Sequence, residues 1–241
     1  MPEPTRPISR DSTISVALAT CDGERWIAEQ LGSILAQLGP NDEVVVADAS
    51  STDRTISIVK SFEDPRVRIL RDFPRGNIPG TFEHALRECR GEFLFLSDQD
   101  DVWLPGKVER CVERLAGSSA ELLLHDARIV DSAGSEISPS FLERIGFRQG
   151  FLSNLWRSGY LGCALCMRRS LLERALPFPP QVPMHDWWLG LLSECGQGTV
   201  VLREPFLLHR IHGANANFEP RTSRYHVGRK LWMRVLILAN I

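Results

Sequence analysis

The chain has 241 residues, 43% apolar and 24% charged, with a formal net charge of −2. That balance suits one sizeable α/β domain of ordinary water-facing composition. It excludes the basic field that nucleic-acid binding requires, and no stretch reaches the roughly 18 consecutive apolar residues of a membrane span. The N-terminal MPEPTRPISRDST has no apolar segment of the secretory kind. The six cysteines are too sparse for a disulfide scaffold. Cys163 and Cys166 form a lone C-x-x-C with no second pair or nearby His, and read as buried thiols. A cytoplasmic location with reduced thiols is expected.

Taken in order, Ile14 to Ala19 is a short apolar run fit for a buried strand, stopping at the polar turn Thr20-Cys21-Asp22-Gly23. Trp26, Ile27, Leu31, Ile34, Leu35 and Leu38 then share a helix face, closed by Gly39-Pro40. Val44 to Ala47 is a second strand ending at Asp48. Ser50 to Asp53 reads as a turn and N-cap for a helix with Ile56, Val59 and Phe62 on its apolar stripe. Val67 to Leu70 is a third strand, Gly76 to Gly80 a loop, and Thr81 the start of a helix closed by Gly91. Phe93 to Leu96 is the fourth strand, feeding into Ser97-Asp98-Gln99-Asp100-Asp101. A helix follows Pro105, with Val108, Cys111, Val112 and Leu115 inward.

Four alternations of β and α with polar residues at the strand ends predict a mostly parallel, Rossmann-like sheet flanked by helices. Such sheets bind ligands at the carboxyl ends of their strands. The second half is less regular. Leu122–Leu124, Ala127–Val130, Thr199–Leu202 and Phe206–Ile211 look extended. Ser170–Leu176 and Asp186–Cys195 look helical, and 138–159 is loop-rich. Residues 225–241, YHVGRKLWMRVLILANI, predict a basic amphipathic helix that packs on its own domain or a second copy, or lies in a membrane interface.

Two carboxylates one residue apart at a strand end present hard oxygen ligands to Mg²⁺ or Mn²⁺, which leave positions open for phosphate oxygens. A cation there neutralises charge developing on a departing diphosphate. The same string, Asp98-Gln99-Asp100-Asp101-Val102, also fits the D-x-D-x-[TV] motif of haloacid-dehalogenase-like phosphatases, with Asp98 as nucleophile. That motif follows a first strand, whereas about three βα units precede it here. A nucleotidyltransferase would carry a Gly-rich loop after the first strand, which CDGERW is not. A nucleotide- or glycan-binding module without turnover is a further alternative.

Several segments together resemble the inverting family 2 glycosyltransferases of GT-A fold, in particular rhamnosyltransferase-like members that build bacterial surface polysaccharide. These are ATCDGERWIAEQLGSILAQ, VVVADASSTDRT, GTFEHAL, GEFLFLSDQDDVWLPGKVE, GCALCMRRSLLE, HDWWL and HRIHGAN. The resemblance implies a catalytic domain over 13–222, with a nucleotide-sugar half (13–116), an acceptor half (117–222) and the C-terminal helix (223–241) appended. It implies that Thr20, Cys21, Asp22 and Glu24 line the nucleoside pocket and Asp48 contacts the base. Asp98 then serves the ribose or a metal-bound water, Asp100 and His212 hold the metal or diphosphate, and Asp186 is the general base. Gly162, Cys163 and Trp187 fall on the acceptor side. The implied donor is a UDP- or dTDP-sugar and the implied acceptor a glycan, free or lipid-linked.

Asp186 suits its role on physical grounds, because a carboxylate opening a helix is expected to stay ionised. Simple N-capping of that helix is the plainer role. The sequence departs from the family where Ala49 follows Asp48 in place of a second acid. It also departs where His185 replaces an acid before Asp186 and where Cys21 replaces an aromatic.

Overall fold

The computed structural model describes residues 12–213 except 72 and 181, together with 232, 234, 235, 239 and 240. The apolar runs of the first half become β1 (Ile14–Thr20), β2 (Glu43–Asp48), β3 (Val67–Leu70) and β4 (Phe93–Ser97). They pair in parallel in the order β3-β2-β1-β4. The register sets Thr20 beside Asp48 and Leu18 beside Ser97, so the polar ends of β1, β2 and β4 emerge along one edge. The crossovers are α1 (Ile27–Leu35), α2 (Thr55–Ser61) and α3 (Ile78–Glu88).

Alternate residues of β4 feed two cores. Leu94 and Leu96 pack with Phe82, Leu86 and Trp188 on one face, and Phe93 and Phe95 with Ile27, Leu31 and Trp103 on the other. Being covered on both faces makes the strand read as an unbroken apolar run.

Helix α3 opens at Ile78, three residues before the expected Thr81. The Asn77 side chain accepts the Gly80 N–H at 3.1 Å. Pro79 lies in the first turn, where its missing N–H leaves no bond unmade.

The second half extends the same sheet with mixed pairing. β5 (Val102–Trp103), β6 (Leu122–Val130), β7 (Glu136–Ser138), β8 (Leu165–Arg168) and β9 (Thr199–Arg210) complete the order β3-β2-β1-β4-β8-β6-β9-β5, with β7 on β6. β8 runs antiparallel to both β4 and β6, whereas β6 and β9 are parallel. The two segments expected at 122–130 are one strand, as are the two at 199–211. A register shift near Asp126 and Pro205 interrupts their pattern.

Within residues 12–213 the remaining α-helices are α4 (Lys107–Ala116), α5 (Phe141–Ile145), α6 (Phe151–Trp156), α7 (Arg169–Ala175) and α8 (His185–Glu194). A 3-10 turn, Gly162–Ala164, precedes β8. Cys163 and Cys166 are free, fully buried thiols, as their spacing without partners suggested. The predicted C-terminal helix lies mostly outside the described residues. Within it, Arg234 donates to the carbonyl of Leu155 at 3.0 Å and sits over the Trp156 ring. No described helix is long and apolar enough to cross a membrane.

Candidate active site

The loop after β1 and the loop after β2 are tied by their own polar groups. Asp48 accepts from the Thr20 hydroxyl at 2.9 Å, the Ser51 N–H at 2.9 Å and the Ser51 hydroxyl at 2.5 Å. Asp22, at φ 49°, accepts the Thr52 N–H at 2.8 Å and pairs with the Arg75 guanidinium. Those bonds hold its carboxyl well below the usual carboxylate range. Glu24 takes both the N–H and Nε–H of Arg54 at the start of α2. Thr20, Cys21, Asp22, Glu24 and Asp48 therefore lie in one loop cluster at the sheet edge, and Arg75, which the sequence reading passed over, closes it.

The acidic loop after β4 joins this cluster through Gln99. Its amide donates to the Cys21 carbonyl at 2.9 Å and accepts the Cys21 N–H at 2.8 Å. Beneath it the fully buried Gln30 of α1 donates to the Ser97 hydroxyl and the Asp98 carbonyl. Gly23 leaves room for this lock, since a Cβ there would stand 2.2 Å from Gln99 Oε1.

The three carboxylates of the loop take different partners. Asp100 meets His212 Nε2 at 2.8 Å, with the Trp26 ring stacked on that imidazole. Asp101 is fully buried, and its Oδ1 faces His209 Nδ1 at 2.9 Å and the Arg210 N–H at 3.0 Å. Burial alone would lower the His209 pKa, but the adjoining Asp101 carboxylate outweighs it and lifts the imidazole to about 9. Asp98 is pushed up to about 8 by burial and by the neighbouring Asp101 and Asp100 charges. Such an excess of carboxylate around Asp98 and Asp100, with the His212 imidazole among it, fits a divalent cation in its donor chemistry. Asp101, Cys163 and His209 also bring their ligand atoms within 4.8 Å of one another. That group is already satisfied as an Asp–His pair to which the Cys163 thiol donates.

Asp186 is the second residue of α8, and Met184 holds the N-cap position without a side-chain bond. Capping of the helix by Asp186 is therefore not what the structure has. The carboxylate accepts the N–H of its neighbour Trp187 at 2.7 Å and that of Gly162. Burial outweighs these bonds and the helix dipole, pushing Asp186 up to about 6, contrary to the expectation of a readily ionised group. Gly162, whose N–H Asp186 accepts, is followed by Cys163, whose thiol lies 3.7 Å from His209 Nδ1 beside Asp101, so α8 and the acidic loop meet across this turn.

His185 is buried against the Phe82 ring at 4.1 Å, with neither nitrogen hydrogen-bonded. Burial drives it down to about 3, so it is a neutral wedge beside the acid. Gly162 is small of necessity, since a Cβ there would lie 2.9 Å from His185 Nε2. Trp187 donates to the Asn154 carbonyl at 2.7 Å, while Trp103 and Trp188 are core residues.

The family model for "Glycosyl transferase family 2" matches residues 15–176, a span that includes the loop cluster after β1 and β2 and the acidic loop. The chain belongs to Glycosyl transferase family 2. It is 25% identical over 247 residues to the dTDP-rhamnosyl transferase RfbG of Shigella flexneri, covering 90% of this chain and 81% of that one.

Among solved structures it resembles S. aureus TarS 1-349 in complex with UDP-GlcNAc, with a TM-score of 0.72 at 20% identity over 95% of this chain. It also resembles the mannosyltransferase PcManGT of Pyrobaculum calidifontis in complex with GDP-Man and Mn²⁺, with a TM-score of 0.67 at 20% identity over 89% of this chain. The chain spans 66% and 60% of the lengths of these two neighbours. At such identities the likeness establishes the fold, and it is the GT-A fold of the family.

Proposed function

We propose that the chain transfers a sugar from a nucleoside-diphosphate donor to a glycan hydroxyl, inverting the anomeric carbon. The observation that carries this reading is that Asp186 accepts the Gly162 N–H while the next residue, Cys163, lies against Asp101 of the acidic loop and the adjoining His209, with burial raising the Asp186 carboxyl to about 6. Inversion needs a base that takes the acceptor hydroxyl's proton on the side opposite the leaving diphosphate. A group ionised just below neutral pH does this well.

In this reading Thr20, Cys21, Asp22, Glu24 and Asp48 form the nucleoside side, with Asp98 toward the ribose. Asp100 and His212 hold a divalent cation, Mn²⁺ or Mg²⁺, which supplies charge neutralisation to the diphosphate when bound. Gly162, Cys163 and Trp187 border the acceptor. Gly162 acts by donating its N–H to Asp186. UDP- and dTDP-sugars are the donors to try first, in keeping with the ligands and names of TarS and RfbG.

A thermal-shift screen of nucleotide-sugars with Mn²⁺ or Mg²⁺ tests the donor class. Selective binding raises Tm by an amount that grows with ligand concentration over Kd. A flat response to every nucleotide-sugar, with either metal, counts against the proposal. We further take 13–222 as the catalytic domain and 223–241 as a C-terminal helix that packs on the domain, in keeping with Arg234 on the Leu155 carbonyl and over the Trp156 ring. Liposome flotation of the chain with and without 223–241 tests the alternative of a membrane-interface helix, and flotation that depends on 223–241 overturns the packing reading.

A further inference from the structure

We infer that Arg210 is a positioning residue for the divalent-cation site, an inference that rests on the donor-site reading above. The sequence marks Arg210 only as a residue between two histidines, but the fold makes it the junction of three elements. It ends β9 and is 5% exposed. Its N–H is held by Asp101 Oδ1 at 3.0 Å. Its Nε–H donates to the main-chain carbonyl of Asp100 at 2.9 Å. A terminal nitrogen reaches Glu29 Oε2 on α1, also at 2.9 Å.

Two residues further on, His212 meets the carboxylate of that same Asp100 at 2.8 Å. Arg210 therefore grips the backbone of Asp100 while its own strand end delivers the imidazole to the side chain. Helix α1 supports both contacts, Glu29 holding the guanidinium and Trp26, at the helix N-cap, stacking on His212 at 4.2 Å. Asp100 and His212 are 112 positions apart in sequence. The β5–β9 pairing and the Asp101–His209 contact bring the loop after β4 to the end of β9, and Arg210 adds the tie to the Asp100 main chain itself.

The planar guanidinium suits the task because it fixes two donors at a set angle, which a lysine ammonium on a flexible stem does not. Contacts that orient metal ligands from behind typically govern metal affinity by about 10–100-fold. Glu29 is 59% exposed, so its removal perturbs the clamp without disturbing the core.

The test is Mn²⁺ binding by the full chain, alone and with UDP or dTDP, read from the free-ion EPR signal and from tryptophan emission. Three proteins are compared: the unaltered chain, Arg210→Lys and Glu29→Gln. Arg210→Lys is expected to weaken Mn²⁺ binding about tenfold. Glu29→Gln is expected to weaken it about threefold at unchanged Tm, since only an exposed pair is lost.

A merely structural role would lower Tm and leave the Mn²⁺ constant alone. If Glu29→Gln and every folded Arg210 variant bind Mn²⁺ like the unaltered chain, the positioning role is overturned. If the unaltered chain itself binds no Mn²⁺, with or without nucleotide, the donor-site reading falls and this inference falls with it.

Discussion

Gln99 closes on both polar groups of the Cys21 peptide unit pair, accepting its N–H at 2.8 Å and donating to its carbonyl at 2.9 Å. The residue between Asp98 and Asp100 thus locks the loop after β1 to the acidic loop. Gln99→Ala removes both bonds and is expected to cost about 1–3 kcal/mol in urea unfolding, at about 1 kcal/mol per bond plus exposed backbone groups. It should also weaken nucleotide binding. Gly23→Ala should be harmful in the parent chain, because its Cβ would stand 2.2 Å from an amide oxygen pinned by that lock. In the Gln99→Ala background the same change should cost less. Additive effects of the two changes would refute the lock.

Burial shifts the neighbours His185 and Asp186 toward their neutral forms, one down and the other up. His185 is depressed from 6.5 to about 3, so it is neutral in the folded chain where the unfolded chain binds a proton. Its contribution is complete above pH 6.5 and is lost as pH falls toward 3, amounting to about 3 kcal/mol by pH 4. His185→Leu should flatten this acid limb, so its stability relative to the parent rises as pH drops from 7 to 4. A parallel pH dependence for parent and variant would show that the imidazole is not held neutral.

Asp186 has the opposite sign. Raised from 3.8 to about 6, it contributes stability below pH 3.8 that is lost as pH rises through 6. Asp186→Asn should therefore be the more stable protein at pH 8 by roughly 2–3 kcal/mol. That advantage should shrink between pH 6 and 4. Because transfer needs the ionised form, kcat/KM of the parent should fall about tenfold per pH unit below 6. Urea unfolding at several pH values, paired with the rate profile, checks both limbs. A variant less stable than the parent at pH 8 would contradict the burial argument.

Gly162→Ala probes the wedge from the other side. A methyl group 2.9 Å from His185 Nε2 must displace that buried ring or the 3-10 turn, and Asp186 loses its fixed N–H donor from Gly162. Transfer should drop by at least about tenfold, since small misplacements of catalytic groups are costly, while nucleotide affinity stays within error. A matching loss of nucleotide affinity would mean that Gly162 serves the donor side.

The first half of the fold was legible because its strands are covered on both faces and read as short apolar runs ending in polar residues. β6 and β9 were seen in pieces because His125, Asp126 and Arg128, and Arg203 to Pro205, break the pattern where the register shifts. β5 has two residues and gives no periodic signal. In the site, Asp98, Asp100, Asp186 and His212 stand out by type and motif.

Gln99, Arg75 and Arg210 do not, because their work lies in hydrogen bonds to residues 78, 53 and 110 positions away. The ionisation of Asp186 was misjudged for a related reason. Its place at a helix start is visible in sequence, but the burial that overrides the dipole and the Trp187 and Gly162 N–H bonds exists only in the fold.

The central claim is that Asp186 takes the acceptor's proton while other residues bind the donor. The most direct measurement pairs calorimetric titration with a transfer assay, on the parent and Asp186→Asn, using whichever nucleotide-sugar the screen selects with Mn²⁺. The account predicts matching donor affinities and a transfer rate at least about 100-fold lower in the variant. Transfer at the parent rate by Asp186→Asn would contradict it.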